Sequence, residues 1–170
     1  FGAVHAMNRE NKGFSGFLYA GLILTQTGPR VLEFNCRLGD PETQPLMMRL
    51  QTDLVPYLTH AVEGTLDRLE APQWDPRPAV CVVATSKGYP GDYDLGLPIH
   101  GLDSIDTGDD LQVFHSGTLV KGSDTVTAGG RVLGVCALGD SEADATSRAY
   151  GAMAKLEFQG MHFQIGRAHV

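Results

Sequence analysis

The residues best suited to chemistry lie in one short run, Val31-Leu32-Glu33-Phe34-Asn35-Cys36-Arg37. Side chains alternate along a β-strand, so Glu33, Asn35 and Arg37 point one way while Leu32, Phe34 and Cys36 point the other. The polar set presents a carboxylate, an amide and a guanidinium in a row, about 6–7 Å apart along the strand. The apolar set is expected to face a core. Magnesium prefers oxygen ligands in octahedral geometry, usually one or two from protein and the rest from water and phosphate. Glu33 and the amide oxygen of Asn35 meet that need, and the planar fork of Arg37 suits a substrate carboxylate or phosphate. The motif is short, and a solvated strand face gives the same alternation.

Such a strand needs neighbours. Residues 16–25 (GFLYAGLILT) form a nearly continuous apolar run, as expected for a strand covered on both faces. Gln26-Thr27-Gly28-Pro29 supplies turn chemistry and residues 30–37 the second strand, so the short connection predicts an antiparallel hairpin. Asp40 then reads as an N-cap with Pro41 at the first helical position, and residues 41–50 give a short helix. Residues 52–64 predict a second helix, with Leu54, Leu58 and Ala61 on one face and Gly64 as its stop. Residues 65–78 hold three prolines and several charges without an apolar period, and are expected to be a linker.

A β-rich unit is predicted over residues 79–164. AVCVVAT is a strand, LQVFHSGTLV and SDTVTAGG suggest a meander, and RVLGVCALG is a further strand. Ser141 is expected to cap a helix running through Leu156, with Ala145, Ala149, Ala152 and Leu156 near one stripe. The domain reading is thus 1–64, a linker at 65–78, and 79–164. Residues 165–170 (IGRAHV) resemble a translated sequencing adapter and are expected to be a non-native tail.

Composition narrows the function classes. Apolar residues make up 42% and charged residues 19%, typical of a soluble globular chain. A net charge of -7 argues against nucleic-acid binding, which needs clustered Lys and Arg. No apolar run approaches the roughly 20 residues that span a bilayer, and the opening FGAVHAMNREN lacks the cationic start and apolar core expected of a signal peptide. Cys36, Cys81 and Cys136 lack metal-ligand spacing and read as buried, reduced thiols of a cytoplasmic protein. His115 beside Ser116-Gly117-Thr118 invites a triad reading. No Gly-x-Ser-x-Gly elbow accompanies it, so a hydrolase is rejected.

The longer string LEFNCRLGDPETQP, with GFLYAGL before it and KGYPGDY, HSGT and TAGGRVL after it, resembles the phosphoribosylamine–glycine ligase family. The resemblance runs from about residue 16 to about residue 163 and implies an α+β fold. That fold would be the C-terminal part of an ATP-grasp domain followed by a small β-rich C-terminal domain. It further implies joining of glycine to 5-phosphoribosylamine, with ATP cleaved to ADP and phosphate through a glycyl phosphate. Mg2+ or Mn2+ would be the cofactor and ATP the co-substrate. Carried onto matching positions, Glu33 and Asn35 look like metal ligands, and Arg37, Asp40 and Thr43 look like groups holding substrate and nucleotide near the transferred phosphate. Asp40 has its capping role as the alternative.

Ile23 is similar in position to a residue packing on adenine, with ordinary core as the alternative. The place where ATP-grasp relatives often carry a second metal-binding acid falls near Gly21. Residues 88–93 (GYPGDY) look like the family's loop near the substrate cleft, with backbone N–H groups facing a phosphate or simply making a tight turn. The chain lacks an initiating Met and reads as a C-terminal fragment whose partners include the N-terminal domains of the same chain. Two rivals remain: another ATP-grasp ligase or a biotin-carboxylase piece, and a non-catalytic binding module with the same fold.

Half a site cannot close around ATP and exclude water. Incubated with ATP, magnesium, glycine and phosphoribosylamine, the chain alone is expected to give neither ADP nor glycinamide ribonucleotide. Measurable product would refute that.

Overall fold

Apolar and β-branched residues fill residues 79–85 and 131–138, and these become the most deeply buried strands of the molecule. The computed structural model describes residues 2–165. Its elements, in order, are α1 (Gly2–Arg9), β1 (Tyr19–Thr25), β2 (Gly28–Asn35), α2 (Thr43–Arg49), α3 (Leu54–Glu63), β3 (Ala79–Thr85), β4 (Leu111–His115), β5 (Thr118–Lys121), β6 (Asp124–Thr127), β7 (Arg131–Leu138), α4 (Glu142–Met153) and β8 (His162–Ile165). Mixed helices and antiparallel sheets make the fold α+β, as expected.

The chain forms two compact units. One comprises the stretch ending at Gly39 and Gln51–Gln73, and the other comprises Asp40–Leu50 and the chain from Trp74 onward. The first contains the predicted hairpin: β1 and β2 pair antiparallel from Tyr19↔Asn35 to Thr25↔Gly28. The register skips between Gly21 and Leu22, leaving Leu32 without a cross-strand partner. This bulge was not foreseen, because one extra residue in a run of apolar side chains leaves the pattern looking regular. Neither the expected cover on both faces of the strand in residues 16–25 nor the core expected under the apolar face of β2 is supplied among the described residues. Leu22, Leu24, Leu32 and Phe34 are all exposed, and so is Cys36, which was expected to be buried.

Helix α3 ends at the predicted stop, Gly64, and starts at Leu54 behind an Asp53 cap that was not expected. Asp53 accepts from the Val55 N–H at 2.9 Å, and Gly64 takes the left-handed conformation with φ 70°. Its packed face is Leu54, Tyr57, His60 and Ala61, all half-buried, whereas Leu58 is exposed. Tyr57 Oη donates to the Glu70 carbonyl at 2.8 Å, and Ser15 Oγ donates to the Ala61 carbonyl at 2.6 Å.

The second unit is built on a four-stranded antiparallel sheet of order β4-β7-β3-β8. The predicted meander divides: β4 joins this sheet beside β7, while β5 and β6 form their own hairpin. Val80, Val82 and Ala84 of β3 stand opposite Ala137, Val135 and Leu133 of β7. Helix α4 packs its Ala149, Ala152 and Met153 against them in one apolar core. Small residues at Ala145, Ala149 and Ala152 let the helix backbone lie close to the sheet. Each fully buried Val, Leu or Met side chain here contributes about 1.5–3 kcal/mol. Ser141 caps α4 as predicted, its Oγ accepting from the Asp144 N–H at 3.2 Å. Cys81 and Cys136, paired across β3 and β7, are buried as expected, and interaction with the Cys81 thiol, then burial, pushes the Cys136 thiol up. Of the expected tail, Ile165 pairs with Val82 in β8, and residues 166–170 lie outside the described residues.

Two details change the reading of the middle of the chain. Helix α2 was grouped with the hairpin that precedes it, yet it packs on β3 and β7 in the second unit. Residues 65–78 are also more than a linker. The Asp75 N–H donates to the Arg49 carbonyl at 2.7 Å, and Arg49 Nε donates to the Asp75 carbonyl at 3.0 Å. The Arg77 guanidinium then clamps two carboxylates, with Nη2 at 2.8 Å from Asp75 Oδ2 and 2.8 Å from Asp110 Oδ1.

Those hydrogen bonds from Arg77 hold both carboxyls below the usual carboxylate range, and the two carboxylates in turn raise Arg77. A carboxyl depressed in the folded state contributes stability that is present above its unfolded value, about 3.9, and lost as pH falls through the folded one. The Tm advantage of the native chain over Arg77→Met is therefore expected to be full near neutral pH and to shrink below about pH 4. A difference independent of pH in thermal unfolding would disprove the clamp.

Candidate functional site

The β1–β2 pairing sets Tyr19 and Gly21 opposite Asn35 and Glu33. Because residues two apart share a strand face, Glu33 and Asn35 come up side by side, next to the bare backbone of Gly21. Asn35 Nδ2 donates to Glu33 Oε1 at 2.9 Å. A Cβ added at Gly21 would lie 3.1 Å from Glu33 Cγ, so the missing side chain makes room for the carboxylate. Glu33 is exposed and Asn35 half-buried, which leaves the carboxylate reachable from solvent. Ile23, two residues beyond Gly21 on β1, shares that face and is 47% exposed among the described residues.

The donor set suits a hard divalent cation. Turning the Asn35 amide by half a turn would replace Nδ2 with Oδ1, giving two neighbouring oxygen donors. Among the described residues no three His, Cys, Asp or Glu side chains converge as a metal cage. A cation on this pair would complete its shell with water and ligand oxygens, as magnesium commonly does.

The remaining predicted residues fall elsewhere. Strand β2 ends at Asn35, so Arg37 is not held in the strand row; it is exposed, and its Nη1 donates to the neighbouring Leu38 carbonyl at 2.8 Å. Asp40 does not cap α2, and Pro41 is not its first residue. The helix begins at Thr43, with Glu42 at the N-cap position and no side-chain capping bond. Arg131 occupies Asp40 instead: its Nη1 is 2.9 Å from Asp40 Oδ2 and donates to the Asp40 carbonyl at 2.7 Å. A partner 91 residues away outcompetes the local cap. Thr43 opens α2 and is half-buried.

The Gly88-Tyr89-Pro90-Gly91 segment is a tight turn. The N–H groups of Tyr89 and Gly91 donate within it, to the carbonyls of Ser86 at 3.2 Å and Gly88 at 2.8 Å, and so do not serve a phosphate. Beside the turn a cavity of about 550 Å³ is lined by Lys87, Asp92, Tyr93, Asp94 and Gln159, among others. His115 is exposed, with its Nδ1 2.9 Å from Thr118 Oγ1. Arg131 and Tyr89 were quoted within the TAGGRVL and KGYPGDY strings without a role. The only signal for one was the paired glycine before the arginine.

Comparisons with known proteins identify the family and the fold. Residues 2–43 match the profile for the ATP-grasp (A) domain of Phosphoribosylglycinamide synthetase, and residues 79–166 match the profile for its C domain. The chain thus comprises the end of an ATP-grasp domain and a separate β-rich domain. The phosphoribosylamine–glycine ligase of Rhodopirellula baltica is 52% identical over 157 residues, which cover 92% of this chain and 36% of that relative. That of Pseudomonas syringae pv. tomato is 48% identical over 162 residues, 95% of this chain and 37% of the relative. The crystal structure of the phosphoribosylamine–glycine ligase from Thermotoga maritima superposes with a TM-score of 0.76 at 30% identity, over 94% of this chain and 38% of that one. The chain belongs to the phosphoribosylglycinamide synthetase family and spans a little over a third of the length of these relatives.

If Gly21 is the space that seats the carboxylate, Gly21→Ala should displace Glu33 and break its bond to Asn35. The Asn35 side-chain amide signals in a nitrogen–proton correlation spectrum are expected to move, and unchanged signals would count against the cradle.

Proposed function

We propose that this chain is the C-terminal portion of a ligase that joins glycine to 5-phosphoribosylamine, with ATP cleaved to ADP and phosphate. The observation that carries the reading is the Glu33–Asn35 pair on an open strand face within a segment matching the ATP-grasp domain. Family membership implies use of ATP. Glycine, 5-phosphoribosylamine and the glycyl phosphate between them are the finer part of the proposal. Mg2+ or Mn2+, held by Glu33 and the Asn35 carbonyl oxygen, would screen charge on the phosphates as they are transferred.

The chain's own residues take the remaining work. Arg37 offers a planar set of donors to a substrate carboxylate or to phosphate oxygens, and its bond to the Leu38 carbonyl is easily exchanged at the surface. Asp40 orients the amine or carboxylate partner, Thr43 contributes a hydroxyl toward the nucleotide, and Ile23 packs on adenine. The exposed Leu22, Leu24, Leu32 and Phe34 are the surface on which the N-terminal domains of the same ligase pack. No described helix is long and apolar enough to cross a membrane, and we assign the enzyme to the cytoplasm.

The test is Glu33→Ala in the full-length ligase carrying this segment. Loss of a metal ligand is expected to lower kcat at least about 100-fold, since charge stabilisation by such a cation is worth several kcal/mol. Near-normal turnover, measured as ADP release dependent on glycine and phosphoribosylamine, would eliminate the role.

A further inference from the structure

One contact in the second unit is built more strongly than a surface ion pair needs. A single Arg131 nitrogen, Nη1, bonds both the backbone carbonyl of Asp40 at 2.7 Å and its carboxylate at 2.9 Å. A guanidinium that only screens a surface charge has no reason to hold the backbone as well. Doing both fixes the orientation of the carboxylate relative to its own main chain, while about half of the Asp40 side chain (51%) stays exposed to solvent.

The backbone that delivers Arg131 is itself pinned. Ser86, almost fully buried, donates from its N–H to the Gly130 carbonyl at 2.8 Å and from Oγ to the Gly129 carbonyl at 2.9 Å. The main chain of Gly129 lies so close to Gly117 that a Cβ at Gly117 would come within 2.8 Å of the Gly129 Cα. The Tyr89 ring lies against Gly130, where any side chain would overlap it. Arg131 also sits where the β3–β7 register shifts, between Ala84 and Thr85, so the strand bends at the residue that reaches Asp40.

We propose that Arg131 is the positioning residue for Asp40: braced by Tyr89 and the pinned Gly129-Gly130 backbone, it sets the direction of the Asp40 carboxylate for the ligase reaction. The proposal rests on the ligase reading above. It adds a task for the β-rich unit, which thereby orients a group carried in the GDPETQ string.

The experiment is a double-mutant cycle in the full-length ligase carrying this segment, with Arg131→Ala, Asp40→Ala and the double variant followed by kcat and KM. Misplacing a reacting group by about 1 Å costs on the order of 100-fold, so Arg131→Ala is expected to lower kcat about 100-fold. KM for ATP should stay within about twofold, because binding of the nucleotide is unaffected. The double variant should be no slower than Asp40→Ala alone, since a positioning residue has nothing left to position. Arg131→Lys should recover at least about tenfold, because an ammonium has donors enough for the carbonyl and the carboxylate. Should Arg131→Ala fail to fold in thermal unfolding, Arg131→Met, which keeps the apolar stem, carries the same comparison. Losses that multiply in the double variant, or normal turnover in Asp40→Ala, overturn the positioning role while leaving the ligase reading intact. An unmodified full-length protein that forms no glycinamide ribonucleotide overturns both.

Discussion

The constraint on which the second unit depends is a return crossing of the chain. Having finished the hairpin, the backbone contributes Asp40–Leu50 to the second unit, leaves for Gln51–Gln73, and comes back at Trp74. The two passages are tied where they meet in the second unit: Leu50 bridges Trp74, and Arg49 and Asp75 exchange hydrogen bonds. Asp75 then hands its carboxylate to Arg77, which grips Asp110 at the start of β4. This chain of bonds holds α2 against β3 and β7. It also brings the turn before α2 within reach of Arg131.

The parts of this arrangement written in local periodicity were readable in advance. The apolar run RVLGVCAL reads as a strand, and β7 is that strand, buried along nearly its full length. Alanines spaced over Ala145, Ala149 and Ala152 behind a capping serine mean a helix laid closely on a sheet, and α4 is that helix. Turn residues between two apolar runs mean a hairpin, and β1–β2 is that hairpin. What was not readable depends on contacts far apart in the chain. Asp40 before a proline has the form of a cap, and no spacing rule announces that an arginine 91 residues later takes it. The place of α2 depends on the exchange between Arg49 and Asp75, one residue of which lay in what looked like a linker.

The candidate site was half legible for a related reason. Alternation correctly paired Glu33 with Asn35, because the strand stays regular from Glu33 to its end. It failed for Arg37, because where a strand stops is decided by the partner strand, and Tyr19 is the last residue of β1 available to pair. It also placed Leu32, Phe34 and Cys36 against a core that the described residues do not supply. An apolar pattern states that cover is needed without stating which segment provides it. A two-stranded ribbon with large apolar side chains exposed on it is only part of a packing arrangement, and isolated ribbons of this kind are marginal in water.

The charge on the Glu33–Asn35 pair has a consequence for how such a site is loaded. Two carboxylates at 2.9 Å would repel, and one would tend to take up a proton, whereas a carboxylate beside an amide holds together with no cation present. The arrangement keeps the face assembled at the expense of charge: the pair offers one negative group, and Gly21 contributes none. On the proposed reading the remaining neutralisation comes from groups beyond this pair, and phosphate oxygens are a natural source. On the proposed reading, metal and nucleotide therefore bind to this face as a unit. The pair of side chains orients the complex rather than capturing the ion alone, and for that purpose an amide serves as well as a second acid.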